Sequence, residues 1–198
     1  GTPTTINILN NTISGVTGVG VSVQNYSDLL IQGNALTGTG GGELQAYGVS
    51  CNAASPRLLG NNIQSFSIGL NCLNQSSPIL ENGTAGGNNV IKNNDIGVSC
   101  DNGSNAVLGL ISGSGPPDDG GQNSIFNNTT YNVRLTNGCN VYAHNNWWGA
   151  APPATDKFSQ DETSKLYYEP YLPTDPNGGG SSPIGGSLIV ERDAGISP

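Results

Sequence analysis

The chain has 198 residues, a net charge of −8 at pH 7 and only six Lys and Arg, no two of them adjacent. That balance excludes a nucleic-acid partner, which needs a basic patch to displace counterions, and offers nothing to an anionic membrane surface. Apolar residues are 34% and Gly 30 of 198, thin for a globular core but enough for stacked coils that bury their inward side chains on one another.

Ile8-Leu9-Asn10-Asn11-Thr12-Ile13 opens a phrase in which apolar residues five apart bracket an Asn or Gly pair. The phrase returns at 31–36, 58–63 and 143–148. Five is odd, so both apolar residues face inward only if the chain turns between them. Asn and Gly tolerate the left-handed backbone of such a turn. A second phrase follows each of the first three: Gly20-Val21-Ser22-Val23, Gly48-Val49-Ser50-Cys51 and Gly69-Leu70-Asn71-Cys72. It recurs as Gly97-Val98-Ser99-Cys100 and Asn132-Val133-Arg134-Leu135. Its last residues are 28, 21, 28 and 35 apart. A period of that size marks a repeat architecture, and alternation at period two makes the unit a strand. Val23, Cys51, Cys72, Cys100 and Leu135 are therefore expected in one inward column.

Turns follow the second phrase at Asn25-Tyr26-Ser27, Asn74-Gln75-Ser76, Asn102-Gly103-Ser104 and Asn137-Gly138-Cys139. Asn at a repeated turn predicts a ladder of stacked amides. Asn25, Asn74, Asn82, Asn102 and Asn128 also head Asn-x-Ser/Thr sequons, so they are the glycosylation candidates. Insertions at 82–88 and 109–122 share one corner, and a third at 37–45 lies at another. Repeat proteins place function on such loops. The three column cysteines read as buried small hydrophobes. A Cys51–Cys72 or Cys72–Cys100 disulfide is the alternative, since stacked Cα atoms lie ~4.8 Å apart although parallel Cβ vectors close poorly. No His accompanies Cys51, Cys72, Cys100 and Cys139, so no metal site is expected.

The last first-type phrase ends in Asn145-Asn146-Trp147-Trp148-Gly149, then Ala151-Pro152-Pro153 and Tyr168-Glu169-Pro170-Tyr171-Leu172. With the repeats, this resembles the right-handed parallel β-helix proteins of the pectin-lyase-like class, over roughly residues 4–172. Many bacterial and archaeal members end in an Asn-Trp-Trp-Gly segment, a Pro loop and a short Tyr-x-Pro strand. The expected fold is all-β, a right-handed parallel β-helix of about six coils. Trp147 and Trp148 are expected to roof its last coil, because an uncovered solenoid end invites aggregation; a sugar-stacking platform is their alternative role. Residues 1–172 form the helix, 173–187 a Gly/Pro/Ser linker, and 188–198 a tail with one short strand around Leu188, Ile189 and Val190. A lone strand must join an edge, a neighbouring subunit's or its own.

The resemblance implies a search for polysaccharide lyase or hydrolase chemistry, the first through Ca²⁺ and a Lys or Arg base, the second through paired carboxylates. None of the family's catalytic motifs matches here, so no catalytic residue is assigned. Arg134, Asp101 and the loop pair Asp118-Asp119 are the glycan-binding candidates; Asp118-Asp119 also offers oxygens to Ca²⁺, the one cofactor considered. His144, the single histidine, is read as outward and idle. No run approaches the ~18 apolar residues of a membrane helix. The chain contains no Met, so it is expected to be a processed product or a piece of a longer protein. The expected function is an extracellular or cell-surface, non-catalytic structural module that forms a homo-oligomer or filament through its C-terminal strand. The alternatives are a polysaccharide-binding or lyase-like module and the spacer of a longer adhesin.

Overall fold

The computed structural model describes residues 6–40, 45–111 and 120–178. In chain order its strands begin with β1 (Ile6–Leu9), β2 (Thr12–Val16), β3 (Val19–Gln24), β4 (Leu29–Gln32), β5 (Ala35–Gly38) and β6 (Tyr47–Asn52). Next come β7 (Arg57–Leu59), β8 (Asn62–Gln64), β9 (Ile68–Leu73), β10 (Val90–Lys92), β11 (Ile96–Cys100) and β12 (Val107–Gly109). The last are β13 (Ser124–Phe126), β14 (Tyr131–Leu135), β15 (Asn140–Ala143), β16 (Phe158–Gln160) and β17 (Lys165–Tyr167).

The fold is all-β and its strand pairing is parallel. β1, β2 and β3 lie in different sheets, and β4, β5 and β6 return to those sheets in the same order. One wall runs β2-β5-β8-β10-β13 and another β3-β6-β9-β11-β14-β16. The remaining wall joins β1-β4-β7 to β12-β15-β17 through Ile79, which bridges Arg57 on one side and Val107 on the other. This arrangement fits a parallel β-helix.

Register carries the core. Ile13, Leu36, Ile63, Ile91 and Ile125 stack on one wall. Val21, Val49, Leu70, Val98 and Val133 stack on another. Beside them run Val23, Cys51, Cys72, Cys100 and Leu135, in the order the repeat phrase foretold. Beyond the first strand of each column every one of these side chains is fully buried. The phrase glycines permit that stacking. A Cβ on Gly69 would sit 2.8 Å from both the Gly97 carbonyl oxygen and Ile91 Cγ2, so only hydrogen fits there.

The paired Asn and Gly of the first phrase form the expected turn, and they do more. Asn10, Gly33, Gly60, Asn88, Gln122 and Asn145 all have positive φ. Each turns the next residue inward, and that residue is always Asn: Asn11, Asn34, Asn61, Asn89, Asn123 and Asn146. Asn34 Oδ1 accepts from the backbone N–H and Nδ2 of Asn11. Asn61, Asn89, Asn123 and Asn146 repeat the pattern for the residue below, at 2.8–3.0 Å. Spare Nδ2 hydrogens go to backbone carbonyls such as Ile31 and Leu58. A buried amide ladder thus satisfies donors that three turning strands would leave stranded.

The predicted outer ladder exists in a broken form. Asn102 Nδ2 donates to Asn74 Oδ1 at 2.7 Å. Asn74 turns aside to Asn52, because Ala53 stands where its partner should be, and Asn137 donates to Asp101. The 82–88 and 109–122 insertions share a corner as expected, their bases tied by Gly87 N–H to Gly121 O and Gly120 N–H to Gly83 O. The third begins later than expected, because Thr37 and Gly38 belong to β5.

The C-terminal part departs from expectation twice. Residues 168–172 are not a strand; they form an irregular run in which Pro170 O accepts from Asn145 N–H and Leu172 N–H donates to Asn146 O. The linker expected from residue 173 starts as an anchored turn. Asn177 Nδ2 donates to Ser124 Oγ at 2.8 Å and Gln122 O at 3.1 Å, and Ser124 Oγ donates to Asp175.

Candidate functional site

Three regions carry the residues singled out by sequence: the outer face of the β3-to-β16 wall, the two ends of the stack, and the turns. On the outer face, Arg134 follows Ser99 in register, and its Nη2 donates to Ser99 Oγ at 3.1 Å. Arg134 Nε is buried without a partner. Asp101 lies within electrostatic reach of Arg134. Its Oδ1 accepts from Asn137 Nδ2 at 2.6 Å and Thr136 Oγ1 at 2.9 Å. The Asn137 bond, with those from Thr136 and the Asn102 backbone and the charge of Arg134, holds the carboxyl below its usual range. The structure therefore brings Asp101 and Arg134 together, yet spends the carboxylate on tying one turn to the next. Asp118 and Asp119 lie outside the described residues, as do Leu188, Ile189 and Val190. His144 is half-buried, its Nδ1 3.2 Å from Gly109 O. Among the described residues no group of three or more His, Cys, Asp or Glu could hold a metal ion, and no helix is long and apolar enough to cross a membrane.

All four cysteines are free and buried. Burial pushes the Cys51 thiol up to about 12 and Cys139 up to about 11. A hydrogen bond to Cys100, together with burial, holds Cys72 well above its ordinary value. Thiols in that state are packing groups, poor nucleophiles and poor ligands.

The ends differ. At one, which we call the near end, β1, β2 and β3 have strands on one side only among the described residues. Ile6 is 53% exposed while Leu29, stacked on it, is 7% exposed. Ile8 and Ile13 are only partly buried, and with Asn11, Thr12, Gly20 and Val21 they line a concavity of about 790 Å³. At the far end the two indoles separate. Trp148 is 3% exposed and meets Phe158 edge-on, centroids 5.0 Å apart. Phe158 in turn packs on Tyr168 at 4.7 Å. Trp147 is half-buried and continues the β2-β5-β8-β10-β13 wall by bridging Ser124.

The sequons divide likewise. Asn25, Asn74, Asn82 and Asn102 are exposed. Asn128 is 1% exposed, its Oδ1 taking the Asn94 N–H and Nδ2 and its Nδ2 donating to Asn132 and Ile91. A glycan on that nitrogen has no room, so Asn128 is withdrawn as a candidate. The signal was in the sequence: Asn127 takes the left-handed turn, φ 54°, and sends Asn128 inward.

Residues 2–155 match the family described as "Protein of unknown function (DUF1565)". The chain belongs to that family. No curated protein and no solved structure matches it. The match covers β1 to β15 of this DUF1565 chain and leaves out β16 and β17; it includes both the buried amide ladder and the thiol column.

Proposed function

We propose that this chain is a right-handed parallel β-helix of about six coils, capped at the far end around Trp148. On this reading it works as an extracellular, non-catalytic structural module that self-assembles through its C-terminal segment. The observation that supports the reading is an apolar edge: among the described residues β1, β2 and β3 pair on one side only, beside exposed Ile6. Free parallel edges beside apolar side chains are a template for another strand. Leu188-Ile189-Val190 is an apolar stretch with two β-branched residues, of the kind that adds to an edge. A joint between unlike surfaces does not close on itself, so it yields filaments. Few charges, 10% of residues, and a surface rich in Asn, Ser, Thr and Gly suit an extracellular setting. Deletion of residues 187–198 should abolish polymers seen by electron microscopy and light scattering. Normal polymerisation of the truncated chain would end the reading.

A second reading rests on Arg134. Half-buried on an outer face beside Asp101, its guanidinium charge suits a uronate carboxylate, with Ca²⁺ held by Asp118-Asp119 as an accessory. Retention on polygalacturonate, lost in Arg134→Ala, would support it; no retention with or without Ca²⁺ would remove it.

A further inference from the structure

We propose that Asn82 is a site of spontaneous covalent modification: its side chain cyclises onto the Gly83 nitrogen, and the succinimide so formed opens to aspartate and isoaspartate. The chain contains four Asn-Gly pairs, at 82–83, 102–103, 137–138 and 177–178. Glycine in second place favours this chemistry, because no Cβ hinders the approach of its nitrogen to the Asn side-chain carbon. The fold sets one pair apart from the other three.

Cyclisation needs a free Gly N–H as nucleophile, a side-chain amide free to leave, and a stabiliser for the negative charge that develops on Oδ1. At 102–103 the Gly103 N–H donates to Asn137 O at 2.9 Å, and Asn102 Nδ2 donates to Asn74. At 137–138 the Gly138 N–H faces Thr163 Oγ1 and Ser164 Oγ, and Asn137 Nδ2 donates to Asp101. At 177–178 the Gly178 N–H donates to Asp175 O at 3.4 Å, and Asn177 Nδ2 to Gln122 O and Ser124 Oγ. Nucleophile and leaving group are thus both tied down in these three pairs. At 82–83 neither is: Gly83 N–H and Asn82 Nδ2 have no hydrogen-bond partner among the described residues, and both residues are exposed. Gly83 is held only through its carbonyl, which accepts from Gly86 and Gly120. Arg57 Nη2 donates to Asn82 Oδ1 at 3.0 Å, where a fixed cation stabilises the developing oxyanion.

The Gly83 nitrogen gives its proton to water and bonds to Asn82 Cγ, and the carbonyl electron pair moves onto Oδ1 beside Arg57. The Cγ–Nδ2 bond then breaks, and Nδ2 leaves as ammonia with a proton from water. Water adds to either imide carbonyl. Breaking the bond from the Gly83 nitrogen to Cγ gives aspartate; breaking its bond to the Asn82 backbone carbonyl carbon gives isoaspartate. Either product puts a carboxylate beside Arg57, at the corner where Gly83 meets Gly120. Nδ2 is also the atom that a glycan on this sequon occupies, so the two modifications exclude one another.

The test is to incubate the full-length chain at mildly alkaline pH, folded in buffer and unfolded in guanidinium chloride. Mass spectrometry then maps each pair with fragment ions that separate isoaspartate from aspartate. In the folded chain Asn82 should convert first, and Asn102, Asn137 and Asn177 about tenfold or more slowly, because each must first give up hydrogen bonds. In the unfolded chain the four rates should converge. Folded Arg57→Ala, checked by circular dichroism, should convert Asn82 about tenfold more slowly and the other three at unchanged rates. Conversion of any other pair ahead of Asn82 in the folded chain, or a ranking that unfolding leaves unchanged, overturns the proposal, and this comparison needs no variant. An Asn82 rate in folded Arg57→Ala equal to or above that of the wild type overturns the part assigned to Arg57.

Discussion

At the residue scale, backbone sign decides where side chains go. The turn that follows the second phrase puts Asn25, Ala53, Asn74, Asn102 and Asn137 at φ between 49° and 56°. Ala53 lacks the local hydrogen bonding that makes this region tolerable for Asn. Ala53→Asn should relieve that strain and give Asn74 the amide partner that Asn102 already has in Asn74. The expected gain is about 0.5–1 kcal/mol, or ~1–4 °C in melting temperature, read by calorimetry. No gain, or a loss, would show the outer ladder to be ornamental. The thiols make a second case. Cys51 and Cys139 rise from the ordinary 9.0 to about 12 and about 11 on folding. The unfolded chain therefore ionises first. Their stabilising share is full below pH 9 and is lost as pH climbs through 11 to 12. Denaturant midpoints should fall across that window, and less steeply in Cys51→Val, which copies Val23 of the same column. Equal slopes would place the effect on other groups.

At the scale of the element, the column of Val23, Cys51, Cys72, Cys100 and Leu135 was legible because a strand repeats every second residue. A four-residue phrase is enough to fix its facing. The buried amide ladder was only half legible. Its Asn pairs stood in the sequence as turns, but which Asn points inward depends on the residue before it adopting positive φ. Gln122 does so as readily as Gly33, which composition alone does not announce. The same rule explains the failure of the Asn128 sequon. The polar face around Asp101 and Arg134 was found, but its occupation by Thr136, Asn137 and Ser99 was not, since those bonds join residues a whole repeat apart. The ladder itself is testable. Asn61→Leu keeps the size but removes the acceptor of the Asn34 N–H, one of the three acceptors of Asn34 Nδ2 and a donor to the Ile31 carbonyl. Stranding the N–H costs about 1–3 kcal/mol and each of the other two lost hydrogen bonds about 0.5–1.5 kcal/mol, so a loss of at least ~2 kcal/mol in denaturant unfolding is expected. A loss under about 1 kcal/mol would mean that the ladder relaxes around the gap.

For the whole molecule, stacked strands make stability nearly one-dimensional: each layer is held by its neighbours above and below. A layer with a neighbour on one side only frays first. Trp147 and Trp148 were read together as a roof, yet only Trp148 is enclosed, under Phe158 and Tyr168 that follow it in sequence. Amide hydrogen exchange across the full chain, in dilute and concentrated solution, is the direct measure of this polarity. When dilute, amides of β1, β2 and β3 should exchange fastest, with protection growing strand by strand toward β14. On the proposed self-assembly, protection should rise on concentration wherever copies meet. Equal protection at both ends, or fraying that begins around Trp148 and β16, would contradict it.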